Sequence, residues 1–89
     1  MDLALIVDEA VSYERVLEEL RQAGGELLEE AHFFDLYRGP PIPEGQKSLA
    51  FALTFRAPDR TLTDEDVGRD IEAIELHLAE RLHARVRRG

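Results

Sequence analysis

The residues able to do chemistry in this chain are few. They are His32, His77 and His83, the serines Ser12 and Ser48, and a polar and aromatic group around one Pro/Gly segment: Asp35, Tyr37, Arg38 and Lys47. A metal centre needs three or four ligands converging on one point. His77 and His83 are separated by about 600° of helical turn and share no face. Glu80 and His83 form a single Glu-x-x-His without the partner ligands that such a motif requires. His32 stands alone, so the ligand count favours surface histidines. Nucleophilic catalysis fares no better. Ser12 sits where a helix cap belongs, and Ser48 has no neighbouring histidine and no Gly-x-Ser-x-Gly turn. Gly24–Gly25 is not followed by the Lys-Ser/Thr pair of a phosphate loop. Cysteine is absent altogether, which removes disulfides, thiolate ligands and thiol nucleophiles. No catalytic residue, metal or cofactor is expected.

Binding remains. The stretch "FFDLYRGPPIPEGQKSLAF", residues 33–51, holds three of the four prolines and two of the six glycines. A formal net charge of −8 argues against nucleic acid at first, because phosphate contacts supply most non-specific affinity. The charge is uneven, however. Residues 1–30 carry nine acids and two bases, and residues 63–89 carry seven and five. The middle, 31–62, has three acids against four bases. The candidate groups lie in the one third that is not acidic.

The elements that must position them can be read in order. "LALIV", residues 3–7, is a continuous apolar run and reads as a strand buried on both faces. "VSYERVLEELRQAGG" is a helix capped by Ser12, with Val11 stapled to Val16 and Gly24 or Gly25 at its left-handed end. Val16, Leu17, Leu20 and Ala23 form its apolar stripe, leaving Glu14, Glu18 and Glu19 to solvent. The second strand runs roughly from Leu27 to Arg38. Strict alternation along it mixes core and solvent residues on each face. A β-bulge at Phe33–Phe34 restores order, with Ala31, Phe33, Phe34 and Leu36 inward and His32, Asp35 and Tyr37 outward.

The third strand alternates cleanly. Leu49, Phe51, Leu53 and Phe55 interleave with Ser48, Ala50, Ala52 and Thr54, so one face is bulky and the other small. "LTDEDVGRDIEAIELHLAERL" is a second helix capped by Thr63, with Val67, Ile71, Ile74, Leu78 and Leu82 on one face. "ARVRR" leaves room for a short edge strand. Residues 1–89 therefore make one domain. The order strand–helix–strand–strand–helix–strand is the ferredoxin-like split βαβ arrangement of the α+β class. It predicts a four-stranded antiparallel sheet, in spatial order 4-1-3-2, with two helices on one face. The face carrying Asp35, Tyr37, Ser48, Ala50 and Ala52 is then left open.

On that face Tyr37 offers an aromatic plane beside a floor of small residues, with Arg38 and Lys47 at the hairpin base. A planar base can lie on such a floor, stack on the ring and be read by Ser48 and Asp35. An ordinary edge tyrosine on a wet sheet face explains the composition equally well.

The residues then go further. "DLALIVDE", "GGELLEEAHFFDLYRG" and "IPEGQKSLAFALTFRAPDRTLTDEDV" closely resemble the ferredoxin-fold anticodon-binding domain that ends the β subunit of bacterial phenylalanyl-tRNA synthetase. The resemblance covers nearly the whole chain. It implies binding of the anticodon stem-loop of tRNA(Phe) at positions matching Asp35, Tyr37, Ser48 and Ala50. It also implies aminoacylation elsewhere in a large (αβ)2 assembly, a cytoplasmic setting without membrane contact, and a domain cut from that larger enzyme. Two other classes share the fold: an oligomerisation module and a regulatory small-ligand domain of the ACT type. The latter usually has glycine in the loop after the first strand, where this chain has Asp8-Glu9-Ala10-Val11.

Overall fold

The large/small alternation of the third strand organises the molecule. In the computed structural model, which describes residues 1–87, Leu49, Phe51 and Leu53 are buried and Phe55 is half-buried. They share one apolar cluster with Val16 and Leu20 of the first helix and Ile74, Leu78 and Leu82 of the second. Both helices therefore cover the bulky face of the sheet. The elements are β1 (Asp2–Asp8), α1 (Tyr13–Gly24), β2 (Leu28–Tyr37), β3 (Gln46–Phe55), α2 (Asp64–Leu82) and β4 (Arg85–Val86). The four strands pair antiparallel in the order β2-β3-β1-β4, the predicted 4-1-3-2 read from the other edge. Phe51 is fully buried at the centre, its ring tilted at 54° against Phe33, which in turn stacks on Tyr13 of α1 at 4.4 Å. Burial of one such ring contributes about 1.5–3 kcal/mol.

Both helices begin as their sequences require. Ser12 accepts the Arg15 amide at 3.2 Å, and Thr63 forms a reciprocal box with Asp66 at 3.1 Å in each direction. Gly25 ends α1 with a φ of 56°, a conformation that costs glycine nothing. Gly24 permits close approach of β2, since a Cβ there would lie 2.4 Å from that of Leu28.

Four expectations are corrected. β1 is buried through Leu3, Leu5 and Val7 only, while Ala4 and Ile6 are half-buried on the other face. The bulge in β2 is present, because the register passes from Phe33↔Phe51 directly to Asp35↔Ala50. Phe34 is the inserted residue and has no cross-strand partner, so on an edge strand it turns outward and is 54% exposed. Leu36 pairs with Leu49 on the helix side but lies at the sheet margin, where the core does not cover it. A second register shift lies between Leu28 and Glu30.

The fourth correction is Glu19, expected in solvent and found only 2% exposed. His77 Nε2 lies 2.8 Å from its Oε1, Arg81 Nε donates to the same oxygen at 3.3 Å, and Arg15 Nε donates to Oε2 at 3.2 Å. These partners hold its carboxyl below the usual range, the His77 hydrogen bond most of all, against the opposing effect of burial. The pairing joins α1 to α2.

Candidate nucleic-acid interface

Residues paired directly across an antiparallel sheet share a face, so the register assigns every side chain opposite the helices. One row runs Tyr37–Ser48–Ile6–Arg85 across all four strands. The next runs Asp35–Ala50–Ala4, and beside it the Arg87 amide donates to the Ala4 carbonyl at 2.8 Å. A third runs His32–Ala52–Asp2. The structure thus brings Asp35, Tyr37, Ser48 and Ala50 together on one surface, as the bulge-corrected alternation requires. Asp35 and Tyr37 are exposed, Tyr37 at 38%, and Ala50 is half-buried. Ser48 is not open: it is only 3% exposed.

The β2–β3 loop fixes the tyrosine. Gly39 turns the chain with a φ of 115°, the Ile42 amide donates to the Gly39 carbonyl at 2.8 Å, and Ile42 is buried. This brings the Pro40 carbonyl to the Tyr37 hydroxyl, which donates to it at 2.6 Å. The loop is also clamped to the β1–α1 connection. The Glu9 amide donates to the Gly45 carbonyl at 2.9 Å, and the Arg38 guanidinium grips the Glu9 carboxylate, Nε reaching both oxygens and Nη2 a third contact. Arg38 holds the Glu9 carboxyl below its usual range, and Glu9 raises the Arg38 guanidinium in return. A cleft of about 410 Å³ lies between these two loops, lined by Glu9, Arg38, Pro40, Ile42 and Gln46 among others.

The two cations expected at the hairpin base differ in kind. Arg38 is exposed but already paired. Lys47 pairs with Val7, lies on the helix side of β3 and is only 8% exposed, so it does not join the Tyr37 face. The cations on that face come from the opposite edge. Arg85 donates to the Gln46 side chain at 3.0 Å, and the Arg87 guanidinium lies over the Tyr37 ring, 5.0 Å from its centroid. Neither was singled out from sequence, although the i, i+2 spacing of arginines in "ARVRR" places both on one side of a strand.

The histidines have local partners or roles: Glu30 for His32 at 3.1 Å, Glu19 for His77, and a left-handed helix end for His83. Among the described residues no group of three or more His, Cys, Asp or Glu could hold a metal ion. No helix there is long and apolar enough to cross a membrane.

Relatives of known name share this sequence. The chain is 48% identical over 86 residues to the phenylalanine–tRNA ligase beta subunit of Moorella thermoacetica, covering 97% of this chain and 11% of that protein. It is 51% identical over 87 residues to the beta subunit of Corynebacterium efficiens, and 45% over 86 residues to that of Mycobacterium leprae, covering 97% of this chain and 10% of each relative. The chain therefore spans about a tenth of the length of these proteins and corresponds to one domain of them. The profile of the ferredoxin-fold anticodon binding domain matches residues 1–87, and the chain belongs to that family.

Proposed function

We propose that the chain is the tRNA-anticodon-binding module of a phenylalanine–tRNA ligase β subunit, and that it receives the anticodon loop of tRNA(Phe) on the sheet face opposite the helices. The observation that carries this reading is the Tyr37–Ser48 row beside Asp35–Ala50. It puts an aromatic plane, a hydroxyl, a carboxylate and a small floor within one base's reach. Tyr37 stacks on a base, Ala50 lets the base approach the sheet, and Asp35 accepts hydrogen bonds from a base edge that donates them. Ser48 donates or accepts as the edge demands. Aminoacylation belongs to other parts of the (αβ)2 ligase, which also supply most of the affinity.

The overall charge of −8 fits this division of labour. Much of the acidity lies on the helices behind the sheet, about a Debye length of 8 Å or more from the bound loop at physiological salt. It discourages indiscriminate RNA binding while leaving the recognition face usable.

Titration of the protein with the anticodon stem-loop of tRNA(Phe), read by amide resonances, tests the proposal. The expected shifts fall in β2, β3 and the β2–β3 loop. Shifts confined to α1 and α2, or none at about 1 mM stem-loop, above the range of non-specific nucleic-acid affinity, would sink it.

A further inference from the structure

Ser48 faces away from both helices and is nevertheless almost sealed from solvent. Its row explains why. Tyr37 lies directly across from it on β2, and Ile6 lies on its other side on β1. Tyr37 comes from one edge strand, and Arg87 from just beyond β4 at the opposite edge. Ring and guanidinium meet at 5.0 Å, so they converge above the β3 and β1 residues between them. The guanidinium is directed inward over the sheet, toward the ring. Among the described residues, the contact recorded for it is the face of that ring.

A planar base inserted between these groups requires a separation of about 7 Å, two contact distances of about 3.5 Å. The present separation is 5.0 Å, so an outward swing of about 2 Å admits one base. Arg87 is half-buried and its backbone amide is held by the Ala4 carbonyl, so rotation of its side chain off the ring suffices. Bases stack on guanidinium planes as well as on aromatic rings, and the planar group does this where a lysine ammonium does not.

We infer that Arg87 is the second jaw of a base-binding slot. In the free domain its guanidinium rests on Tyr37 and closes the site over Ser48. In the complex it rides outward and stacks on the far side of the base that Tyr37 holds. The inference rests on the reading of this face as the RNA surface. It adds a binding residue outside the β2–β3 hairpin, on which all the other base contacts lie.

The test uses the full-length protein that carries this domain, titrated with the anticodon stem-loop of tRNA(Phe) across a salt series. The variants are Arg87→Ala, Arg87→Lys and, as reference, Tyr37→Ala. A jaw predicts that Arg87→Ala and Arg87→Lys each weaken binding about tenfold, with the salt dependence of Arg87→Lys unchanged. Three results overturn it. Lysine as good as arginine, with the alanine variant losing about one phosphate's worth of salt slope, makes Arg87 a backbone contact. Tighter binding by Arg87→Ala makes it a plug. No effect of Arg87→Ala while Tyr37→Ala weakens binding removes Arg87 from the site. If neither residue matters, the RNA reading of this face fails and takes the slot with it.

Discussion

Tyr37 donates its hydroxyl hydrogen to the Pro40 carbonyl at 2.6 Å, so the stiffest part of the β2–β3 loop sets the angle of the aromatic plane. Ring and tether then contribute separately to binding. Tyr37→Ala removes the stacking surface and is expected to weaken tRNA(Phe) binding by about 1–3 kcal/mol. Tyr37→Phe keeps the ring and loses only its anchor, which costs about 0.5–1.5 kcal/mol. Tyr13→Phe serves as control, because its ring stacks on Phe33 on the helix side. Equal affinity for the wild type and Tyr37→Ala, at matched salt, places the base contact elsewhere.

What was legible in the sequence is what local periodicity encodes. The large/small alternation of Leu49 to Phe55 marks the core face, and the broken alternation at Phe33–Phe34 marks the bulge that moves Asp35 and Tyr37 to the other side. The same alternation puts Lys47 in phase with Leu49 and Phe51. Nearness to Arg38 in sequence therefore does not put Lys47 on the Tyr37 face. What was not legible depends on distant pairings. Arg87 reaches Tyr37 from the far end of the chain, and Glu9 reaches Arg38 across the β1–α1 connection. A helical wheel shows Glu19 as a polar position beside the stripe, and only the approach of α2, bringing His77 and Arg81, shows that the position is sealed.

Arg38 is the exposed cation nearest Tyr37 in sequence, and Glu9 neutralises it. Glu9→Gln is expected to release the guanidinium for a phosphate. The slope of log K against log salt then steepens by up to about one phosphate, roughly 0.7–0.9. Stability is expected to change little, as is usual for an exposed pair. An unchanged slope means that the freed arginine does not reach the RNA backbone.

Ser48 separates a chemical role from a packing one. Ser48→Ala deletes a hydroxyl in a nearly sealed position and is expected to preserve the fold while weakening binding by about 0.5–1.5 kcal/mol. Ser48→Leu replaces the hydroxyl by a branched group with two more heavy atoms beneath Tyr37 and Arg87, and overpacking there is expected to cost about 1–3 kcal/mol of stability. Chemical denaturation and RNA titration of both variants separate the two effects. Wild-type binding by Ser48→Ala removes the hydroxyl from base recognition.

Asp70 keeps one carboxylate oxygen, Oδ2, buried without a hydrogen-bond partner among the described residues, and burial pushes its carboxyl above the usual range. The folded state binds this proton more readily than the unfolded state. Ionisation therefore opposes folding, and the penalty is present at neutral pH and absent below the unfolded value of about 3.9. Asp70→Asn is expected to raise Tm at pH 7, with a gain that shrinks toward zero in acid. A gain that persists unchanged at pH 3 is due to something other than the charge.

Glu19 has the opposite sign. Its partners on α1 and α2 lower its carboxyl below the usual range despite burial, so the unfolded chain takes up that proton more readily than the folded one. The stabilisation is fully present above the unfolded value of about 4.3 and is lost as pH falls through the lower folded value. Glu19→Gln removes the titration and points an amide hydrogen pair at Arg15 or Arg81, which already donate there. The variant is expected to melt below the wild type at pH 7, with the two curves converging as the pH drops below about 4. Arg81→Met, which keeps much of the stem's bulk and removes one donor, is expected to reproduce part of the neutral-pH loss and to leave RNA binding unchanged, because the cluster lies behind the sheet. Melting curves that stay parallel from pH 7 to pH 3 mean that Glu19 joins the helices through packing, with its charge contributing nothing.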